Sequence, residues 1–262
     1  MGAKAGVWVG RLFGAVGILA GLAVLVLVPA PLIAKASVLV AAILLGSVAA
    51  FRRIPAFDPA GRVRWRLRPG SAGRCAITFD DGPSAATPRV LDALAAAGAP
   101  ATFFVLGCNV RRHPDAVRRA FAEGHAVAIH GMTHRKLAGA DDAEVEREVA
   151  GAMAALREIG VEPSPLYRTP HGHKSAAVFR VARRFGLTPW AWSRGVWDTD
   201  RPPADVIVRR ATRAAGARMV LLLHDGRGEE ADPDVEPMVA ALPGILAGLR
   251  ARGLRPVRLD RE

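Results

Sequence analysis

Two stretches of almost unbroken apolar residues open the chain, and beyond residue 73 short β-rich runs alternate with longer amphipathic ones. The first apolar stretch, residues 12–34, holds 23 uncharged residues, enough for a ~20-residue membrane span. A second run covers 36–51, and Pro29 and Pro31 suit a turn between two helices. The pattern predicts a membrane anchor over 1–54, a helical hairpin with two transmembrane helices; one span plus an interfacial segment is the second choice. A cleaved signal peptide fits poorly, because its apolar region is only ~7–15 residues long and here another apolar run comes after it. Residues 55–73, rich in Pro, Gly and Arg, form a basic linker, leaving 74–262 as a separate domain.

Within that domain strands are expected at 75–79, 102–106, 126–129, 166–168, 189–193, 219–223 and 255–259. Helices are expected at 88–97, 114–123, 143–159, 174–185, 204–215 and 235–252, and Gly98, Gly124, Gly160, Gly186 and Gly253 stand where helices should stop. Strands alternating with helices imply parallel β-structure, and runs such as MVLLLH are apolar on both faces, as in a strand covered twice. A barrel-like α/β fold accounts for seven such units; an open doubly wound sheet is the competitor. In either, reactive groups gather at the C-terminal ends of the strands.

Charge refines this picture. The chain carries 36 Lys and Arg against 24 Asp and Glu, yet residues 1–51 contain only Lys4, Arg11 and Lys35. Arg52, Arg53, Arg62, Arg64, Arg66 and Arg68 then come after the second apolar run, a bias that favours the cytoplasmic face for the domain, whereas a cell-wall substrate would need the outer face. They could also meet anionic headgroups or phosphates. No zinc-finger spacing or aromatic stacking run accompanies the positive charge, so nucleic acid is not an expected partner. The two cysteines, Cys75 and Cys108, are too few for a disulfide framework and read as buried core thiols.

Chemistry concentrates at strand ends. Asp80 and Asp81 close the first strand in TFDDGP; His130 and His134 follow the third in HGMTH; Arg168 and His171 follow the fourth in YRTPHG. Asp198 follows the fifth, and His224 and Asp225 end the sixth. The four-residue spacing of His130 and His134 is expected to set both on one face of a helical turn, suited to gripping one ion. One Asp and two His leave a coordination position open for water, as in catalytic rather than structural zinc centres. The second carboxylate is then free to act as a base. His125 reads as a packing residue, His113 as exposed, and His173 as cleft-lining or solvent-facing. Trp190 and Trp192 read as core, whereas Trp197 is a candidate for stacking on a sugar.

In this order, TFDDGP, HGMTH, RTPHG, WDT and LLHDG resemble the NodB-homology polysaccharide deacetylases, carbohydrate esterase family 4, from about residue 74 to 259. The resemblance implies a distorted seven-stranded (β/α) barrel and hydrolysis of an N-acyl, most simply N-acetyl, group on an amino sugar in a polysaccharide or lipid-linked glycan. It further implies Asp81, His130 and His134 as ligands of a divalent metal, usually zinc, with cobalt or nickel as alternatives. Asp80 would be the general base, Arg168 its ion-pair partner, His224 the acid that protonates the departing amine, and Asp198 the support of one of these pairs. Three positions depart from the family pattern: Ile129 stands where Asn is common, His171 where Tyr is common, and Thr199 where Trp is common. His171 could still offer its backbone N–H to an oxyanion, and the last two changes reshape the sugar-binding wall. Two other readings compete: a membrane-tethered carbohydrate-binding pseudoenzyme, which should lack a ligand or base, and a magnesium phosphatase, whose acidic pair is normally spaced as D-x-D.

Overall fold

The computed structural model describes residues 34, 37–43 and 61–262. The anchor expected over 1–54 therefore lies almost wholly outside the described residues, and among those described no helix is long and apolar enough to cross a membrane.

Eight strands, all paired in parallel, build the sheet: β1 (Arg74–Asp80), β2 (Thr102–Leu106), β3 (Ala126–Gly131), β4 (Leu166–Tyr167), β5 (Thr188–Pro189), β6 (Arg194–Gly195), β7 (Val220–His224) and β8 (Arg255–Pro256). Seven of them lie along the path β5-β4-β3-β2-β1-β7-β6, and β8 pairs with the start of β1. The path is open between β5 and β6, which makes a distorted half-barrel rather than a closed one. Within residues 61–262 the α-helices are α1 (Thr87–Ala97), α2 (Gly107–Arg112), α3 (Pro114–Ala122), α4 (Asp142–Glu158), α5 (Ala176–Arg184), α6 (Ala204–Thr212) and α7 (Glu236–Ala251).

Successive side chains of a strand point to opposite faces, and in β1 this alternation divides two environments. Cys75, Ile77 and Phe79 pack outward with Phe103, Val127 and Leu221 beneath the helices, whereas Ala76 belongs to an inner cluster with Phe104, Ala128, Leu166, Trp190 and Val220. Leu67 and Leu259 join that inner cluster from the segments beside β7 and β2. Thr78 and Asp80 share the inward face with Ala76. The barrel interior thus turns from apolar to polar toward the strands' C-terminal ends.

Three expectations need correction. Residues 189–193 are not one strand: β5 ends at Pro189 and β6 begins at Arg194, with the Trp190 N–H donating to the Tyr167 carbonyl and Ser193 bonded through main chain and hydroxyl to Val220. His130 and His134 do not share a helical turn; His130 lies in β3 and His134 in the loop after it, where its φ is +49°. Cys108 is only partly buried in α2, a helix the periodicity did not reveal because it is a single short turn-and-a-half.

Candidate active site

Strand geometry explains how two adjacent aspartates are tolerated. Asp80 is the last residue of β1 and faces the barrel interior, while Asp81 turns away at φ +69°. Each acid has its own partners. Arg168 lies fully buried across the barrel, its Nη1 bonded to Asp80 Oδ1 at 2.7 Å and to Thr78 Oγ1 at 2.8 Å. Its Nη2 donates to the Ala191 carbonyl at 2.9 Å, and its guanidinium carbon sits 4.1 Å from the Phe104 ring centroid. A buried arginine with three fixed bonds holds one carboxylate oxygen rigidly and leaves Asp80 Oδ2 facing the cleft.

Asp81 faces the two histidines. Its Oδ1 is 3.3 Å from His130 Nε2 and 3.1 Å from His134 Nε2, and these three groups form the one cluster among the described residues compact enough to hold a metal. His130 Nδ1 lies 2.7 Å from the Arg168 carbonyl, so it carries the hydrogen and leaves the Nε2 lone pair toward Asp81. Asp81 Oδ1 is buried without a well-directed protein hydrogen bond, whereas Oδ2 accepts from the Gly228 N–H at 3.0 Å. Two imidazole lone pairs and a carboxylate oxygen turned on one point fit a divalent cation. Burial alone would raise the Asp81 pKa, but the adjoining imidazoles of His130 and His134 hold it well below the usual carboxylate range. Conversely, burial would lower His134, and the adjoining Asp81 carboxylate more than offsets it.

His224, at the end of β7, completes the opposite wall. Asp198 accepts from its backbone N–H at 2.7 Å and lies 3.0 Å from its Nδ1. Burial disfavours the imidazolium, yet Asp198, with Asp81 and Asp80 further away, pushes the His224 pKa up to about 10. His171, at φ +58°, sets its ring 4.4 Å from that of His134 at a tilt of 57°, and burial together with neighbouring positive groups lowers its pKa to about 4. Trp197 is 43% exposed beside Asp198, while Trp190 is buried in the barrel and Trp192 lies 5.7 Å from the Arg168 guanidinium. His125 packs edge-on against Phe103 and accepts the Ala101 N–H, and His173 lies 5.3 Å from His171.

Three supporting residues, Glu148, Asp225 and Asn109, have roles that the sequence reading missed. Glu148, buried on α4, accepts the Met132 and Thr133 N–H groups at 2.8 Å each and the Thr133 hydroxyl at 2.7 Å, which fixes the loop between the two histidines. Gly131 is needed there: its φ is +106° and a Cβ would stand 3.1 Å from Glu148 Oε2. The available signal was a glutamate amid Val145, Val149 and Ala152 on a buried helical stripe. Asp225 is buried against Gly82, where any Cβ would meet its carboxylate at 2.2 Å, and it accepts the Thr87 hydroxyl at 2.6 Å. Burial and the nearby charges of Asp81 and Asp80 push its pKa up to about 7. Asn109, buried on α2, bonds the main chain of Asp81.

Known proteins are similar to this chain. Residues 68–190 match the polysaccharide deacetylase family. A peptidoglycan-N-acetylglucosamine deacetylase of Bacillus cereus is 34% identical over 78% of this chain and 93% of its own length. The chain belongs to the polysaccharide deacetylase family. A chitooligosaccharide deacetylase of Rhizobium leguminosarum bv. trifolii is 38% identical over 68% of this chain and 86% of its own. Among solved structures, the family 4 carbohydrate esterase from Streptomyces lividans, in complex with acetate, superimposes with a TM-score of 0.63 at 30% identity, over 70% of this chain and 91% of that one. Membership together with the Asp-His-His cluster makes this chain a metal-dependent N-deacetylase of amino sugars, a hydrolase of carbon–nitrogen bonds.

Proposed function

We propose that the chain is a zinc-dependent deacetylase of N-acetylglucosamine-containing glycans, tethered to a membrane by residues 1–54. The observation that carries the reaction is the convergence on one cleft of the Asp81–His130–His134 cluster, the Arg168-bound Asp80 and the Asp198-bound His224. A zinc ion held by Asp81, His130 and His134 would supply an acidified water and polarise the acyl carbonyl; an N₂O donor set with open positions suits zinc, cobalt or nickel.

The protein's own groups divide the proton work. Asp80 Oδ2 takes the proton from the attacking water, and the Arg168 bond to Oδ1 balances the carboxylate's charge and aims it. His224, held as imidazolium by Asp198, gives its proton to the amide nitrogen as the C–N bond breaks, so a neutral amine departs. The backbone N–H of His171 supports the developing oxyanion, and Trp197, exposed at the cleft edge, stacks on the sugar.

Two features support the tether. Arg64, Arg66 and Arg68 are exposed and lack a carboxylate partner among the described residues, although many other surface arginines are ion-paired. Trp65 stands exposed between them, an interfacial side chain beside basic ones, in the segment that leads back to the apolar N-terminus. The same arginines favour a cytoplasmic domain, where a lipid-linked or soluble N-acetylglucosamine oligosaccharide is within reach.

Acetate release from chitooligosaccharide by the full chain tests the chemistry. It should stop with a chelator and return with zinc, and Asp80→Asn should abolish it while zinc stays bound. Near-normal turnover by Asp80→Asn would remove Asp80 as base. C-terminal reporter fusions, one active on each side of the membrane, test the orientation.

A further inference from the structure

Asn109 lies on α2, a helix with no part in the chemistry, yet its buried side chain reaches the metal-site loop. Its Nδ2 donates both hydrogens to backbone carbonyls, that of Asp81 at 2.8 Å and that of Gly228 at 2.9 Å. Gly228 in turn gives its N–H to Asp81 Oδ2. One amide therefore closes a ring of bonds that fixes both the main chain of Asp81 and the loop that holds its carboxylate. Its own Oδ1 accepts from Arg112 Nη1 at 2.8 Å, and the same nitrogen donates to the Glu229 carbonyl at 2.9 Å.

The loop held this way, residues 226–229, packs tightly on the cluster. A Cβ on Gly226 would come within 2.3 Å of the Asp81 carbonyl oxygen, and one on Gly228, at φ +56°, within 3.3 Å of His134 Nδ1. With Oδ2 engaged by Gly228, only Oδ1 is left to face His130 and His134. The loop also begins two residues after His224, so its position joins the ligand cluster to the acid side of the cleft.

We infer that Asn109, backed by Arg112, is a positioning residue that sets metal affinity by clamping the 226–229 loop onto Asp81. This rests on the Asp81–His130–His134 reading of the metal site. The need is for two donors, so an isosteric acceptor should fail. Asn109→Asp turns carboxylate oxygens toward the Asp81 and Gly228 carbonyls and is expected to weaken zinc or cobalt binding about 10- to 100-fold, the range for lost outer-shell partners of a metal site. Saturating metal should restore kcat more fully than limiting metal does.

The test is titration of the full chain with Co²⁺, monitored by its visible spectrum, and with Zn²⁺ by competition, alongside thermal melting of the metal-free protein. A weakened dissociation constant in Asn109→Asp at a temperature where the protein is folded supports the clamp. Arg112→Met, which keeps Asn109 in place and removes its support together with the bond to the Glu229 carbonyl, should weaken binding about 2- to 5-fold and covers the case in which Asn109→Asp does not fold. Wild-type affinity in a folded Asn109→Asp, or in Arg112→Met if that is the variant that folds, overturns the inference while leaving the metal site intact. A wild-type chain that binds neither ion overturns the underlying site instead.

Discussion

Replacing Asp198 by Asn tests whether His224 works as an acid whose proton is held by a neighbouring charge. The substitution keeps the shape and removes the anion 3.0 Å from Nδ1. In the native site the His224 pKa stands at about 10 against an ordinary 6.5, a preference for imidazolium of about 5 kcal/mol. Asp81 and Asp80 contribute to it, and a bound dication cancels much of their share, which leaves Asp198 as the main support. Two unit charges about 4 Å apart at an effective dielectric near 20 interact by about 4 kcal/mol, or roughly 3 pKa units, as a ceiling. His224 retains 18% side-chain exposure, so solvent screening brings the expected change to about 1–2 units. The sign is fixed: catalysis needs the protonated ring, so activity disappears as pH rises through the His224 pKa, and Asp198→Asn moves that limb toward acid. In a kcat–pH profile at saturating zinc, the variant should be about 5- to 50-fold slower midway up the wild-type alkaline limb and within about threefold on its acid side. An equal loss at every pH with the limb unmoved would refute the assignment of His224 as the acid.

The same geometry sets three other outcomes. His130→Ala removes one member of the Asp81–His130–His134 cluster and the bond to the Arg168 carbonyl, so bound metal by elemental analysis and acetate release should fall together. Glu148→Gln loses acceptor capacity for three donors on the 132–133 loop and should weaken zinc about 10- to 100-fold, read by competition with a chelator. Asp225 has a native pKa near 7 against 3.8, so the folded state binds more protons between those values and stability falls as pH rises from about 4 to about 7. Asp225→Asn removes that slope, worth at most about 4 kcal/mol, and the variant's melting temperature at pH 8 relative to pH 5 should exceed the wild-type difference; an unchanged difference would show that Asp225 is not protonated in the fold.

The residues that resist sequence reading do so for an identifiable physical reason. Asp80, Asp81, His130, Arg168 and His224 stand at or just past the ends of apolar runs, so strand periodicity alone delivers them to one edge of the sheet. Short strands escape that logic. β5 and β6 are two residues each, held by their pairing with β4 and β7 rather than by their own pattern, and the sequence merges them into one run. His130 and His134 sit at helical spacing, but Glu148, from a different element, holds the intervening loop in another conformation. Asn109 and Glu148 act through backbone groups of residues distant in the chain, and a hydrogen bond to a main-chain group leaves no trace in the partner's side-chain identity. Asp225 was visible as an acid at a strand end, but its role depends on Gly82, whose missing side chain admits it.

Four buried aspartates occupy this corner, and each is accommodated by a different device. Asp80 is paired with the buried guanidinium of Arg168; Asp198 is paired with the His224 imidazolium; Asp225, lacking a cation and bonded only to Thr87, has its pKa raised so far that its carboxyl is substantially protonated near neutrality. Asp81 has no permanent cation. Its candidates are His130, whose second nitrogen already donates to a carbonyl, and His134, whose protonation would place a proton where a ligand lone pair is needed. Burying a carboxylate costs several kcal/mol unless it is compensated, and without a metal the compensation for Asp81 comes from His134, whose pKa the carboxylate raises. A dication takes the place of that proton, so metal affinity should weaken as pH falls through the raised His134 pKa. Metal-free Asp81→Asn loses the pairing and should melt below the metal-free wild type, besides binding metal far more weakly. A metal-free Asp81→Asn that melts at or above the wild type would show that the buried carboxylate is left uncompensated until a metal binds.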